Sequence, residues 1–235
     1  MRQVLLFLDV ETTGLELEDR ICSLGLIVVD NEKTIAYHSL VKPPRKIKPE
    51  AMAVHHITNE MVKNIKTFSS SDIFKTLEQY NTEKNILIAH NINFELEMLS
   101  KEGLLWCGGI VDTLRCSKHL IEEIEQFSLQ YLRYELGLYR QEVGSSSALG
   151  IKLQAHSALS DAFHVKMLLS YLMEMADIDA LMEYTTEQVL LKKFSFGKYK
   201  GRYIEEVALQ DVGYLNWLLN QEIDDDLSYS IKYYL

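Results

Sequence analysis

Apolar residues along the chain follow two rhythms. Unbroken runs rich in branched and aromatic side chains, "QVLLFLDV" near the start and "ICSLGLIVVD" from Ile21, predict strands. "KTIAYHSLV" follows the turn "DNE" and predicts an antiparallel partner for the second strand. The basic loop "KPPRKIKP" holds Pro43, Pro44 and Pro49, which keep it out of helix and central strand. "SSSDIFKTLEQY" opens with capping residues and continues at helical spacing. "NILIAH" and "GGIVDTL" predict short buried strands, and "NFELEMLSKEG" predicts a helix closed by Gly103. "SLQYLRYELGL" places Leu129, Leu132 and Leu136 on one helical face. "GSSSALG" predicts a loop, and "SDAFHVKMLLSYLMEM" a strongly amphipathic helix. Three strands followed by strand-helix alternation give an α/β fold, a mixed sheet flanked by helices.

After about residue 186 the texture changes. "KKFSFGKYKGRYIEEVALQDVGYLNWLLNQ" interleaves basic and aromatic residues, and an apolar helix with Trp217 follows. The expected organisation is one domain over 1–178 and a small α+β module over 187–235. Lys192, Lys193, Lys198, Lys200 and Arg202 among Phe194, Phe196, Tyr199 and Tyr203 are compatible with phosphate binding and base stacking, or with a solvated turn docked through its aromatics. The acid clusters Glu122, Glu123, Glu125 and Asp224, Asp225, Asp226 are expected to be solvated faces.

Composition narrows the class. A chain of 235 residues, 47% hydrophobic, can bury a full core. Its net charge of −10 argues against a basic coat for nonspecific nucleic-acid binding, though not against an enzyme gripping such a substrate at a few points. Three scattered cysteines (Cys22, Cys107 and Cys116) fit no zinc spacing and suggest a reducing compartment. No stretch has transmembrane length, so a cytoplasmic protein with no membrane partner is expected.

The candidate chemistry lies in acids. Asp9 and Glu11 end the first strand, and residues i and i+2 of a strand share a face about 6.6 Å apart. Such a pair is either a strand ending in water or, since buried carboxylates repel, a site for a divalent cation bound by hard oxygen ligands, Mg²⁺ or Mn²⁺. Two further segments change the balance: "AHNINFELEML" sets His90, Asn91 and Glu95 between a strand and a helix, and "HSALSDAF" sets His156 five residues before Asp161. An α/β sheet can bring all four acids to one end. Carboxylates shared between two metals act on the attacking and leaving oxygens of a phosphodiester, and a nearby histidine can take a proton. His164, inside a helix, reads as packing or surface, and His90 as a residue that orients its neighbours. His55 and His56 suit either a terminal nucleotide or a plain loop. Phe94 suits either base stacking or the core.

"FLDVETTGL", "AHNINFELEML" and "HSALSDA", in this order, resemble the three motifs of the DEDD family of 3′–5′ exonucleases, in its histidine branch, over roughly residues 1–175. "EAMAVHHITNEMV" is similar to that family's His-Gly-Ile-Thr loop, and the C-terminal "FGKYKGRYIEEVALQDVGYLNWLL" resembles the tail of exonuclease-X-like members. The resemblance implies a ribonuclease-H-like fold. It implies two Mg²⁺ or Mn²⁺ ions held by Asp9, Glu11, Glu95 and Asp161, with His156 as general base. It places Thr12, Thr13, Leu15, His55, Ile57, Asn91 and Phe94 at the terminal nucleotide. Glu95 departs from the family's aspartate and carries its carboxylate about 1.5 Å farther out; Glu97 is the rival for its role.

The function so implied is 3′–5′ removal of nucleoside 5′-monophosphates from DNA 3′ ends, mainly single-stranded, in repair or proofreading. The alternatives are an RNA 3′-end trimming enzyme of the same family, or a nucleic-acid-binding or polymerase-associated protein impaired by Glu95. A DNA polymerase or a second copy of the chain are the protein partners left open.

Overall fold

The computed structural model describes residues 3–30, 33–121, 124 and 126–235. The turn "DNE" and the cluster Glu122, Glu123, Glu125 therefore fall wholly or partly outside the described residues. Strands β1 (Leu5–Thr12), β2 (Ile21–Asp30), β3 (Lys33–Leu40), β4 (Ile86–Ala89) and β5 (Gly109–Asp112) form one sheet in the order β3-β2-β1-β4-β5. β1, β2 and β3 pair antiparallel, and β1, β4 and β5 pair parallel. This is the mixed sheet of a ribonuclease-H-like fold.

The alternation along β1 divides the molecule. Leu6, Leu8 and Val10 enter the core on one side of the sheet with Met98 and Leu99 of the Ile92–Lys101 helix. Phe7 enters the core on the other side with Phe163, Leu168 and Leu172 of the Ala158–Leu172 helix. That helix is buried on more than one face rather than simply amphipathic, since Ala158, Ala162, Phe163, Val165, Leu168 and Leu169 are all covered. The Ile178–Thr186 helix, which lies between the two expected modules, packs on β5 through Leu181 and Met182.

Three local expectations differ from what is found. Pro49 begins a helix, Pro49–His55, at the first turn, where its missing N–H is no loss. The segment expected as the loop "GSSSALG" continues a helix, Tyr139–Ala148, which the Arg133–Glu142 pair anchors at 2.6 Å. The C-terminal module is helical (Ile204–Gln210, Val212–Leu218 and Asp225–Tyr234), and its β component is a single bridge between Lys193 and Tyr203. Its own small core gathers Phe194, Ile204, Val207, Leu215, Leu227 and Ile231.

In the second acid cluster Asp224 and Asp225 are exposed, as expected, but Asp226 is not. Asp226 is buried, takes both guanidinium nitrogens of Arg115 at 3.1 and 3.2 Å, and accepts the Val189 N–H at 2.9 Å. Asp224 caps its helix by accepting from the Leu227 N–H at 2.9 Å. These bonds fasten the C-terminal helix to the Thr113–Leu120 helix, just past the end of β5.

Candidate active site

Asp9 and Glu11 follow Leu5 and Phe7 on the β1 face that the Ala158–Leu172 helix covers. Asp161 lies in the first turn of that helix. Carboxylate oxygens of Asp9, Glu11 and Asp161 come within 4.8 Å of one another. The approach depends on Gly25, which faces Asp9 across the β1–β2 ladder. A Cβ at position 25 would lie 2.3 Å from the Ala158 carbonyl carbon and from the Leu159 nitrogen. Beside the cluster the ladder loses register between Glu11 and Thr12, with Cys22 as the extra residue.

Glu95 comes from the first turn of the Ile92–Lys101 helix and is buried. It stands outside the three-acid cluster, close enough that its charge bears on Asp9. Glu97, the rival, is exposed and pairs with Lys101 at 2.7 Å. Sequence reading gave no role to Asp112. It is buried, accepts the Asn91 and Leu114 N–H groups at 2.9 Å each, and adds its charge beside Glu95. Its position at the end of a strand before a helix was the available signal.

The electrostatics of these acids are unfavourable without a counter-charge. Burial, followed by Asp161, Glu95 and Glu11, pushes the Asp9 carboxyl well above its ordinary range. Burial and then Asp161 push Glu11 up to about 8. Burial, with Asp112 adding to it, pushes Glu95 up to about 8 against an opposing bond from its own backbone. Glu95 Oε2 is buried with no hydrogen-bond partner. An all-oxygen donor set, crowded and in part orphaned, fits a hard divalent cation. Burial drives the Cys22 and Cys116 thiols to about 12, so neither is a thiolate nucleophile near neutral pH.

Asp161 is held by a chain of side chains that sequence reading missed. Gln130 Nε2 donates to Asp161 Oδ1 at 2.6 Å, and Arg133 donates to Gln130 Oε1 at 2.9 Å. Arg133 grips Glu142 through two bonds of 2.6 and 2.7 Å. His164, buried, stands 3.5 Å from both Glu142 and Asp161. Gln130 and Glu142 come from separate helices, and no local pattern marks them.

His156 is exposed, in left-handed backbone (φ 50°), one residue before the cap of the helix that carries Asp161. His56 (φ 61°) and Asn91 (φ 73°) share that conformation at the other corners beside the site. His55 is buried. Its Nδ1 accepts the Ile57 N–H at 3.0 Å, so Nε2 carries the proton and donates to the Thr12 carbonyl at 3.1 Å. Burial first, and then His56 and His156, lower its pKa against the bond to Thr12. His90 is likewise engaged, with Thr113 at 3.0 Å and the Phe127 carbonyl at 2.7 Å.

The remaining predicted contacts separate by exposure. Thr12 and Thr13 are buried, their hydroxyls spent on the Gly14 carbonyl at 2.6 Å and on Asp19 at 2.7 Å. Ile57 belongs to a small core with Cys22, Ile47 and Val62. Phe94 is half-buried against the main core. Leu15, 86% exposed, and Asn91 remain open to a ligand. Burial would raise the pKa of Asp19, but bonds from Thr13, the Glu16 N–H and Lys48, with the Lys48 charge, hold it down to about 2. Asp19 thereby sets the loop that presents Leu15. Arg45 and Lys48 of the basic loop are drawn to Glu16, Glu18 and Asp19.

A ribonuclease-H-like sheet carrying this acidic cluster defines a nuclease that uses divalent metal. The exonuclease (RNase T) family model matches residues 6–169, and the chain belongs to that family. A second model, the exodeoxyribonuclease X-like C-terminal region, matches residues 194–222. Exodeoxyribonuclease 10 of Escherichia coli K12 is 29% identical over 99% of both chains. DNA polymerase III subunit epsilon of Treponema pallidum is 33% identical over 55% of this chain and 63% of its own. Exonuclease X, solved in complex with 5′-overhanging duplex DNA, matches with a TM-score of 0.58 and 25% identity, covering 77% of this chain and 99% of that one. Escherichia coli exonuclease I bound to a dA16 oligonucleotide shares the fold, with a TM-score of 0.55 and 18% identity over 78% of this chain and 43% of its own. The chain is a 3′–5′ exonuclease, a hydrolase of phosphodiester bonds. Among the described residues, no helix is long and apolar enough to cross a membrane.

Proposed function

We propose that the protein removes nucleoside 5′-monophosphates one at a time from DNA 3′ ends, single-stranded or frayed, in repair or proofreading. The observation that carries this reading is the convergence of Asp9, Glu11 and Asp161 with the orphaned Glu95 beside them. Asp9, Glu11, Asp161 and Glu95 would hold two ions, Mg²⁺ or Mn²⁺. When bound, such ions supply positive charge at the scissile phosphate and at the attacking and departing oxygens.

The side chains divide the remaining work. His156, exposed one residue before the cap of the helix that carries Asp161, takes the proton of the attacking water. Leu15 abuts the terminal base from a loop that Asp19 fixes. Asn91 and Phe94 face the nucleotide from the start of the Glu95 helix. Thr12 and Thr13 offer backbone groups only, because their hydroxyls are used internally. His55 and Ile57 act behind them, tying Thr12 to the Pro49–His55 helix. The chain divides into a nuclease domain over 1–178 and a C-terminal module over 187–235, a reading supported by the module's separate core of Phe194, Ile204, Val207 and Leu215.

The names of the relatives, deoxyribonucleases and polymerase subunits, favour DNA over RNA. Incubation of 5′-labelled single-stranded DNA with protein and Mg²⁺ should give a ladder shortened from the 3′ end. Absence of shortening by folded protein with either metal would reject the reading. Faster digestion of a matched RNA would transfer it to RNA trimming.

A further inference from the structure

The basic loop of the C-terminal module has no part in the acid cluster, yet its surroundings give it a task. In a chain of net charge −10, residues 192–203 carry five cations (Lys192, Lys193, Lys198, Lys200 and Arg202) and no acid. Paired backbone bonds, Phe194 N–H to the Arg202 carbonyl at 3.0 Å and Gly201 N–H to the Phe194 carbonyl at 2.8 Å, close the segment into a hairpin-like loop. Gly197 (φ 74°) and Gly201 (φ 82°) supply its left-handed corners. The loop is built on rings. Tyr199 and Tyr214 stand 5.0 Å apart edge to face, and Tyr214 lies 5.7 Å from Trp217.

This row of rings runs from core to solvent. Phe194 is buried, whereas Trp217 is 54% exposed and Phe196 45% exposed. Lys193 lies over the Tyr203 ring at 4.6 Å and Lys198 over Tyr199 at 4.7 Å, so the charges sit on the aromatic surface. The ion pairs Lys198–Asp211 at 3.0 Å and Arg202–Glu206 at 3.4 Å are exposed and weak, and a phosphate can replace the carboxylate in each. The module is fastened by Arg115–Asp226 beside Asp112, at the end of the sheet that carries the clustered acids. The loop begins only a few residues past Val189 in that anchor.

We propose that the 192–203 loop, with Trp217, is a second grip on the substrate, holding the single strand 5′ of the nucleotide being cut. Phosphates meet Lys193, Lys198 and Lys200, and bases stack on Trp217 and Phe196. This deepens the reading above and rests on it. A substrate too short to reach beyond the acids gains nothing from the grip, whereas a long one does.

The test compares wild-type protein with the Lys193→Gln/Lys198→Gln/Lys200→Gln variant and, separately, Trp217→Ala. Binding of a 20-nucleotide single strand is read by fluorescence anisotropy in a chelator over a salt series. Loss of three phosphate contacts should make the slope of log K against log salt shallower by about 2 and weaken binding roughly tenfold at low salt. Trp217→Ala should weaken binding without changing that slope. Hydrolysis of the long strand should fall in parallel, and hydrolysis of the p-nitrophenyl ester of thymidine 5′-monophosphate should stay at the wild-type rate. An unchanged salt slope, or equal losses on both substrates, would overturn the proposal. Failure of the wild-type protein to cut either substrate would instead count against the nuclease reading itself.

Discussion

Gly25 and Ala158 meet backbone to backbone, so closely that a Cβ on Gly25 would lie 2.3 Å from the Ala158 carbonyl carbon. Because Gly25 also pairs with Asp9 across the sheet, this contact sets how near Asp161 stands to Asp9. Gly25→Ala should push the Ala158–Leu172 helix off the sheet. Overpacking of this kind costs about 1–3 kcal/mol. Urea denaturation should show that loss, and Mg²⁺ affinity should fall with it.

Gln130 reaches Asp161 with one short bond and otherwise lies outside the acid cluster. Gln130→Leu should leave the melting temperature nearly unchanged and reduce Mg²⁺ affinity and activity by about ten- to a hundredfold, as loss of a partner that orients a metal ligand does. Calorimetric titration with Mg²⁺ reads the affinity directly. Equal affinity in the variant would mean that the chain of Gln130, Arg133, Glu142 and His164 merely packs.

His156 holds left-handed backbone, which Asn tolerates better than Ala. His156→Asn should therefore keep the fold and the metal affinity while lowering kcat by about a hundredfold or more, the contribution of a general base. Rate loss accompanied by lost metal binding would assign the histidine a different role.

Glu95 is buried with one oxygen unpartnered. Glu95→Gln removes a charge that burial opposes, so the chelated protein should melt higher at pH 8 than the wild type while activity falls about a hundredfold or more. Glu95→Asp draws the carboxylate back by about one bond, ~1.5 Å. A large gain in activity from Glu95→Asp would mean that the natural glutamate impairs the site.

The strands and the clustered acids were legible because each rests on a local pattern: an apolar run of strand length, or an acid two residues from another on one face. Asp9, Glu11 and Asp161 come together as that pattern, joined to the motif resemblance, implied. What the sequence concealed depends on distant partners. The Thr13 hydroxyl looks free for a ligand until Asp19, six residues on, takes it. His55 is spent on Thr12, 43 residues away. Asp226 reads as one of three solvated acids until Arg115, 111 positions earlier, covers it. The serines of 145–147 read as loop because serine favours caps and turns. Arg133 and the apolar residues Leu149 and Ile151 override that preference.

Cations among these acids would relieve their crowding, and pH makes that relief measurable. Glu11 and Glu95 hold their protons to about 8 in the folded protein, against an ordinary 4.5. Between those values the native state binds protons that the unfolded chain has released, so the stability of metal-free protein falls as the pH rises. His38, His55 and His90, held below their ordinary 6.5, act in the opposite direction only as the pH drops through that value. Melting temperatures from pH 6.5 to 8, in chelator and in millimolar Mg²⁺, isolate the carboxylates. The curve should fall in chelator and stay flat or rise in Mg²⁺, with a gap that widens with pH and closes in Asp9→Asn. Parallel curves with no gap would contradict this relief of crowding by cations.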